Sequence, residues 1–346
     1  MTARGDAIVA LRDIAYLLER SLQPTYRVKA FRTAAAVLDA LTDADIDRRV
    51  TAGTLTELAG IGEVTAGVVT ESAAGGEPSY LRRLREESGG PLAAGGAELR
   101  ALLRGDLHMH SDWSDGGSPV REMVQAARDL GHEYVALTDH SPRLTVARGL
   151  TAERLSQQLD LVEALNRELA PFRTLTGIEV DILDDGTLDQ DLGLLGRLDV
   201  VVASVHSKLR MPAAAMTQRM VAAAANPAVD VLGHCTGRLV TGRGRPESDF
   251  DAEIVFEACR QFGVAVEINC RPERLDPPRR LLRTAVETGC LFSVDTDAHA
   301  PGQLEWQPYG CERAQECGVD PARVVNTWPV SDVMDWGRRT RSWRAP

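Results

Sequence analysis

The stretch GDLHMHSDWSDG, residues 105–116, decides how the rest of this sequence is interpreted. Its histidines His108 and His110 are two residues apart, so both side chains lie on one face of an extended strand. A polar run with Asp115 follows, and the glycines at 116 and 117 allow the backbone to turn so that this carboxylate returns to the same cation. The stretch therefore predicts a strand whose end begins a divalent-metal site.

Six later segments have the same character, because each is a short β-branched or apolar run that ends near His, Glu, Asp or Asn. They are YVALTDH, RTLTGIEVDI, LDVVVASVH, VDVLGHC, GVAVEIN and LFSVDTDAH. Helical patterns such as AEIVFEACRQFG separate them, which is typical of an α/β protein with a parallel sheet, and the number of strands favours a barrel. Functional side chains of such barrels lie at the carboxyl ends of the strands.

The candidate metal ligands are the imidazoles and carboxylates at these strand ends. They are His108, His110, Asp115, His140, Glu179, His206, His234, Asp297 and His299. His132 is the one histidine outside the set, and we interpret it as an ordinary core or surface residue and not as a ligand. Mixed imidazole and carboxylate ligands suit Zn, Mn or Fe, and nine ligands exceed the needs of one ion. The sequence thus predicts two to three divalent ions; the alternative, a structural zinc, would be closed, four-coordinate and usually rich in cysteine.

The first 90 residues carry a different pattern, that of amphipathic helices at 6–21 and 26–42. Gly60 and Gly62 lie between two further helical patterns, which favours a helix-hairpin-helix whose backbone N–H groups hold a phosphate, over a plain turn between packed helices. The second helix carries the basic candidates for DNA contacts: Arg27, Lys29 and Arg32.

The segment rich in Gly, Ala and Pro that follows divides the chain. We expect an all-α domain at 1–90, a linker at 91–103, and a barrel with a C-terminal extension at 104–346. The extension ends in WGRRTRSWRAP, for which we expect a solvated tail. Stacking on nucleic acid and helical packing under the barrel are the alternatives.

Composition limits the class of protein. The 346 residues are 44% hydrophobic, no apolar run approaches the length of a membrane span, and charges near the N-terminus favour a cytoplasmic protein. The six cysteines form no CxxC pair, which predicts free buried thiols. The net charge of −11 argues against an extended nucleic-acid coating, but bound cations would allow a local phosphate site.

The strand-end motifs GDLHMHSDWSDG, ALTDHS, GIEVDILDDGTLD, VVASVHSKL, VLGHCTGRL, EINC and VDTDAH resemble, in order, those of the PHP (polymerase and histidinol phosphatase) family. The resemblance spans residues 104 to about 305 and is greatest to the PHP domain that ends bacterial family-X DNA polymerases. LAGIGEVTAGVV resembles the helical domain that begins the same polymerases. Palm and fingers would lie between the two domains, and no paired-Asp region replaces them.

The resemblance implies a distorted seven-stranded (β/α) barrel with a trinuclear site. All nine residues match liganding positions, with Glu179 as the bridging carboxylate. Two departures matter: Cys235 stands where a Pro is usual, which we interpret as a small apolar residue, and no lysine follows the hairpin. Because Lys29 and Lys208 are the only lysines of the chain, a Schiff-base lyase is not expected.

These features predict metal-dependent hydrolysis of a phosphoester, in which a hydroxide bridging two ions attacks phosphorus. Arg238 and Lys208 are placed to clamp the phosphate, with Arg271 as a third candidate, although each could be a plain surface charge. Asp139 is a candidate partner of His140 outside the ligand set.

The substrate divides the hypotheses. A 3'-5' exonuclease or 3'-end phosphodiesterase acting on DNA ends is favoured by the hairpin, although residues 1–90 carry about as many acids as bases. A small-molecule phosphatase of the histidinol-phosphate or sugar-phosphate type needs only the barrel. A regulatory scaffold is the third hypothesis, against which the complete ligand set argues.

Overall fold

The computed structural model describes residues 2–343, with side chains described as far as residue 338. The chain divides into two compact units, Met1–Pro91 and Leu92–Pro346. No helix within residues 2–343 is both long and apolar enough to cross a membrane.

The first unit is entirely helical. Its helices are α1 (Ala3–Arg20), α2 (Thr25–Asp39), α3 (Asp43–Ala52), α4 (Glu63–Ala73) and α5 (Ser79–Ser88), with a 3₁₀ turn at Leu55–Glu57 between α3 and α4. Thr2 and Thr42 begin α1 and α3 by accepting hydrogen bonds from backbone N–H groups of the first turn. Leu11, Ile14 and Leu18 of α1 are fully buried, as the helical spacing predicts, and they form one core with α2 and α4.

The second unit begins with a segment that the sequence suggests is a linker. Residues 97–102 form α6 (Ala97–Leu102), and Leu99 and Leu103 lie in the apolar core of this unit. The N–H groups of Ala94 and Gly95 donate to Glu312. The segment is therefore partly helical, and no polymerase palm or fingers is folded between residue 91 and the first strand.

Seven parallel strands form the sheet of the second unit, in sequence order: β1 (Gly105–Met109), β2 (Tyr134–Leu137), β3 (Arg173–Asp181), β4 (Val200–Ser204), β5 (Val231–Leu232), β6 (Ala265–Asn269) and β7 (Leu291–Asp295). Every strand residue except the first of β3, Thr176 and the first of β7 is buried. Strands covered on both faces are typical of parallel sheets. The predicted seven-stranded barrel is confirmed.

Helices connect the strands: α7 (Val120–Asp129), α8 (Ala152–Glu168), α9 (Leu192–Leu195), α10 (Ala213–Ala224), α11 (Ala252–Phe262) and α12 (Arg279–Thr288). A further helix, α13 (Gln307–Cys317), follows β7. Local sequence fixes their ends. Asp251 begins α11 by accepting from the N–H of Ile254, and Gly263 ends it with a left-handed φ of 67° that favours glycine.

The barrel closes between β1 and β7, a junction that we call the seam. Among the residues that the structure describes, strand pairing there consists of the bridge between Met109 and Ala298. Two buried carboxylates form further hydrogen bonds across the seam: the Leu107 N–H donates to Asp295 at 2.8 Å, and the Thr296 hydroxyl donates to Asp106 at 2.6 Å. Burial, and to a smaller extent the proximity of Asp295, raise the pKa of Asp106. The protonated form of the Asp106 carboxyl group is therefore favoured at the seam.

The C-terminal extension packs against the amino ends of the strands. Residues 330–343 form α14 (Val330–Trp343), and Val333 and Trp336 are buried beside Leu107 and Tyr134. The expectation of a solvated tail is therefore wrong for Trp336, at the start of the tail, because this side chain covers that end of the barrel. The side chains of Arg339, Arg341 and Arg344 lie outside those described.

All six cysteines are free and buried, which confirms the prediction. Burial raises the pKa of the Cys235 thiol well above its usual range, and the weak contact of its Sγ is with Asp276, at 3.9 Å. Cys235 therefore behaves as a small packed residue.

Candidate metal centre

The nine predicted ligands converge at the carboxyl ends of the strands. His108 belongs to β1 and Glu179 to β3, while the others lie in or after the connections that leave β1, β2, β4, β5 and β7: His110, Asp115, His140, His206, His234, Asp297 and His299. All are buried except His206 and His299, which are partly exposed, and Asp115, at the opening of the site.

Glu179 lies at the centre of the cluster. Its Oε1 is 3.3 Å from His206 Nε2 and 3.0 Å from His234 Nε2. Its Oε2 is 3.5 Å from His108 Nε2, 3.6 Å from His110 Nε2 and 2.8 Å from His140 Nδ1. Each oxygen thus faces a different group of imidazoles, as a carboxylate shared between two ions must.

Two aspartates complete the cluster. Asp297 Oδ1 lies 3.3 Å from His110 Nε2 and 3.5 Å from His299 Nδ1. Asp115 Oδ1 lies 3.5 Å from His140 Nε2 and 3.3 Å from His299 Nε2. Asp297 has a positive φ of 51°, a conformation that non-glycine residues rarely adopt and that is common at functional sites.

Most of these separations, 3.3–3.6 Å, suit ligand atoms around a shared ion better than direct hydrogen bonds. Two ligand atoms each about 2.1 Å from a tetrahedral ion lie about 3.4 Å apart, because they span an edge of the coordination polyhedron. Three overlapping groups have their ligand atoms within 4.8 Å of one another: His110, Asp115, His140 and His299; His108, His110 and Glu179; and His140, Glu179 and His206. Overlap of this kind fits two or three ions that share ligands.

Buried polar atoms without partners give the strongest test of that fit. His108 Nε2, both ring nitrogens of His110, His234 Nδ1 and both oxygens of Glu179 are shielded from solvent and make no hydrogen bond. Native proteins rarely leave buried polar atoms unsatisfied. Divalent ions would satisfy them and would offset the buried carboxylate charge, so the residues fit a multinuclear site.

The charges around the site keep some of the predicted ligands unprotonated and favour a proton on another. Burial and the neighbouring His299 lower the pKa of His110 to about 3, and burial and Arg274 lower that of His234 to about 4, so both rings are neutral at pH 7. Glu179 and Asp115 raise the pKa of His140 to about 10 against the effect of burial. Burial alone would raise the pKa of Glu179, but His206 and His140 hold it well below its usual range.

Two further carboxylates, absent from the predicted set, contact the Nδ1 atoms of two predicted histidine ligands. Glu267 Oε1 lies 2.5 Å from His108 Nδ1, and Asp181 Oδ1 lies 2.5 Å from His206 Nδ1. Carboxylates in this position fix the tautomer and orientation of a liganding imidazole. The signal in the sequence was an acid inside an apolar strand: GVAVEIN contains Glu267, and GIEVDI places Asp181 two residues after Glu179, on the same face.

Asp139 supports the site through a loop. Its carboxylate accepts hydrogen bonds from the Ser111 N–H and hydroxyl at 2.8 and 2.6 Å, from the Ser114 hydroxyl at 2.5 Å and from Gln158 at 2.7 Å. These contacts hold the turn between His110 and Asp115.

Of the three predicted phosphate-binding residues, Arg238 and Lys208 do not line the site. Arg238 donates from Nε to the carbonyl of Arg274 at 2.9 Å and from Nη2 to the carbonyl of Leu275. Lys208 is exposed and paired with Asp184. Arg271 does line the site, where its Nη1 donates to the Asp297 carbonyl at 3.0 Å.

A cavity of about 500 Å³ opens over the metal ligands. Its walls beyond the ligands come from the connections after β2, β5 and β6: Leu144, Leu239, Thr241, Arg271, Glu273 and Arg274. Arg274 was not among the predicted residues, since nothing in the motif EINC points to a position four residues later.

The predicted DNA contacts lie in the first unit and differ in their surroundings. Gly60 has a φ of 95°, and Gly62 begins α4, with its N–H donating to Thr65 Oγ1 at 3.0 Å. Arg27 donates to Gln23 and Tyr80, and Arg32 forms a two-pronged ion pair with Glu19. Lys29 is exposed.

His132 stays apart from the metal ligands. It is 5% exposed, and neither ring nitrogen has a hydrogen-bond partner. Burial lowers its pKa to about 3, so it is a neutral ring in the interior, away from the predicted ligands.

Comparison with known proteins finds a family model, described as the PHP domain, that matches residues 106–282. The chain is 43% identical over 237 residues to the DNA polymerase/3'-5' exonuclease PolX of Bacillus subtilis, in an alignment that covers 68% of this chain and 41% of that protein. The chain thus spans less than half the length of this relative.

Smaller proteins also match. A probable phosphatase of Thermoanaerobacter sp. is 27% identical over 233 residues, which covers 64% of this chain and 89% of that protein. A crystal structure of histidinol phosphate phosphatase from Lactococcus lactis, complexed with zinc, L-histidinol and phosphate, covers 70% of this chain and 94% of its own, with a TM-score of 0.40 and 17% identity.

Proposed function

The chain belongs to the PHP family of phosphoester hydrolases, and from that premise we propose that it removes nucleotides from the 3' ends of DNA. The observation that carries the proposal is the presence, in one chain, of a multinuclear ligand cluster and a helical unit with the Gly60–Gly62 hairpin. The 43% identity to a relative named as a 3'-5' exonuclease supports it.

The nine strand-end residues would hold the ions, with Glu179 between them. Divalent ions bound there supply an activated water and neutralise negative charge on the phosphoryl group. Around them, Glu267 and Asp181 keep two imidazoles oriented through hydrogen bonds to their Nδ1 atoms. Asp139 holds the loop that presents Asp115 at the cavity.

The first unit offers a modest surface for DNA. Arg32 is occupied by Glu19, and Arg27 by Gln23 and Tyr80, which leaves Lys29 as the basic candidate without a hydrogen bond or ion pair among the described residues. The Gly62 N–H is used by Thr65, so we propose that Lys29 and the amino end of α4, which follows the Gly60–Gly62 hairpin, contact phosphates without reading sequence.

A small-molecule phosphatase is the second candidate. Two observations favour it: the probable phosphatase of Thermoanaerobacter aligns over 89% of its own length, and the basic side chains of α2 are largely paired inside the first unit. This function needs only the barrel and its cavity.

Hydrolysis assays on the Mn²⁺-loaded protein separate the two candidates. Stepwise shortening of a primed duplex labelled at its 5' end, together with weaker duplex binding by Lys29→Ala, is the expected result. Phosphate release from small monoesters, with the primed duplex left intact, would replace the exonuclease proposal with the phosphatase. Loss of both activities in His108→Ala excludes a contaminating nuclease.

A further inference from the structure

The connection after β6 brings two arginines to the cavity over the metal ligands. Among the described residues, Arg271 and Arg274 are the only basic side chains besides histidine that line it. They are therefore the candidates among these residues for binding a phosphoester in the cavity.

Arg271 is already engaged. Its Nη1 donates to the Asp297 carbonyl at 3.0 Å and lies 2.9 Å from His299 Nδ1. Its Nη2 is 3.6 Å from Glu273, and its guanidinium lies 5.8 Å from the ring centre of Trp306. These contacts fix the segment that carries Asp297 and His299, so Arg271 is a support for metal ligands.

Arg274 has a different environment. Its Nε lies 3.4 Å from Asp297 Oδ2, while its Nη1 is shielded from solvent and has no hydrogen-bond acceptor. The side chain is only 17% exposed. Arg274 also lines the cavity, so a turn of the partly exposed guanidinium would bring the unsatisfied donor to an anion that enters, and the anion would supply the missing acceptor.

The backbone around Arg274 is held from the neighbouring connection. Arg238 donates to the carbonyls of Arg274 and Leu275, and the Val240 N–H donates to the Glu273 carbonyl at 2.7 Å. Leu275 is kept at a positive φ of 46°. The loop is therefore fixed in one conformation, which an arginine needs if it is to meet a phosphate at a set position.

We propose that Arg274 binds a non-bridging oxygen of the substrate phosphate, and that Arg238 is the positioning residue that holds Arg274 in place. The proposal rests on the proposed function and deepens it, since it names the group that recognises the phosphate. It applies equally to a DNA phosphodiester and to a small monoester. A guanidinium beside the ions also stabilises charge that develops on the phosphoryl oxygens.

The test uses the full-length Mn²⁺-loaded protein and inorganic phosphate as the probe. Calorimetric titration of Arg274→Gln with phosphate is expected to show binding about tenfold or more weaker than in the wild type, with Arg274→Lys intermediate. Hydrolysis by Arg274→Gln is expected to fall by about 100-fold in kcat/KM. Metal content measured by mass spectrometry stays at the wild-type level, which separates this effect from loss of ions.

Arg243→Gln is the matched control, because Arg243 is exposed on the connection after β5 and does not line the cavity. Arg238→Gln is expected to weaken phosphate binding in the wild-type background and to have little further effect in Arg274→Gln, since it acts through Arg274. Independent, additive effects of the two substitutions would overturn the positioning role.

Wild-type phosphate affinity in Arg274→Gln would overturn the proposal, whatever the activity. A different result is that Arg274→Gln loses phosphate binding while the wild-type protein itself hydrolyses neither DNA nor small monoesters. That result would support the Arg274 site and would contradict the proposed function. The two failures are thus distinguishable.

Discussion

Glu267 contacts the side of the His108 ring that faces away from Glu179: its carboxylate Oε1 lies 2.5 Å from the imidazole Nδ1, and both side chains are fully buried. The contact leaves His108 Nε2 facing Glu179 as the free ligand atom. Glu267 Oε2 accepts the His234 N–H as well, so one carboxylate orients two connections of the site.

Glu267→Gln should therefore weaken metal binding while leaving the fold intact. An amide cannot supply the charge that makes His108 a strong ligand, and loss of such a partner typically lowers metal affinity by about 10- to 100-fold. Competition with a chromophoric chelator measures the affinity. Glu257→Gln on the surface of α11 is the control; equal affinities in the two variants would contradict the role of Glu267.

His108→Ala should abolish hydrolysis. Its Nε2 is a buried atom without a hydrogen bond, beside Glu179 and Asp297, and no neighbouring side chain replaces it. The expected result is at least about a 1,000-fold loss of kcat with fewer bound ions per chain, measured by assay and by mass spectrometry on the same sample. Activity that survives the substitution would show that the site is misassigned.

Metal binding should release protons and tighten as the pH rises. Without ions, the carboxylates of Glu179 and Asp115 raise the pKa of His140 to about 10, so its ring is protonated at neutral pH and an ion must displace that proton. Affinity for Mn²⁺ should therefore increase between about pH 6 and pH 9. Calorimetry in two buffers of different ionisation enthalpy counts the protons, and an enthalpy independent of buffer would refute the prediction.

Gly60→Ala should destabilise the first unit and Gly62→Ala should not. A Cβ on Gly60 would lie 2.8 Å from Thr33 Cγ2 at a φ of 95°, whereas a Cβ on Gly62 meets no atom within 4 Å. We expect a cost of about 1–3 kcal/mol for Gly60→Ala and less than about 1 kcal/mol for Gly62→Ala. Hydrogen exchange in α2 and α4 of the full chain reports the difference. Equal protection in the two variants would show that the turn is not tightly packed.

Arg32→Gln should lower the free energy of unfolding. The Glu19 side chain is 3% exposed and forms a two-pronged ion pair with Arg32, so removal of the arginine takes that counter-charge away from a buried carboxylate, at a cost of about 3 kcal/mol. Urea unfolding measures the loss. The double variant Glu19→Met, Arg32→Met should recover most of it; a stable single variant with weak DNA binding would instead assign Arg32 to the DNA surface.

The strand ends of the barrel were predictable because one rule, that functional groups follow parallel strands, applies to every motif. His108, His140 and His234 each end an apolar run that has no other use for an imidazole. Glu267 was missed because it lies inside its strand, where the same pattern suggests packing. Its role depends on the inward face of β6, which the sequence alone does not identify.

Directions of long side chains were the least predictable. Arg238 follows His234 by four residues, yet it turns to the carbonyls of Arg274 and Leu275 in the next connection. Arg32 turns to Glu19 on α1 in the same way. The direction of a long side chain depends on hydrogen-bond acceptors that are distant in sequence. The position of a strand, in contrast, can be recognised from the pattern of adjacent residues.

The seam also gives the ions a role in assembly. His108 and His110 stand on one side of it and Asp297 and His299 on the other, while the Leu107 to Asp295 contact joins residues 188 positions apart. Ions held by both sides would join the first and last strands of the folded barrel, and they would stabilise it because they bind the folded chain in preference to the unfolded one. During synthesis the full ligand set exists only once β7 has docked, so metal capture would be the final, locking step of folding.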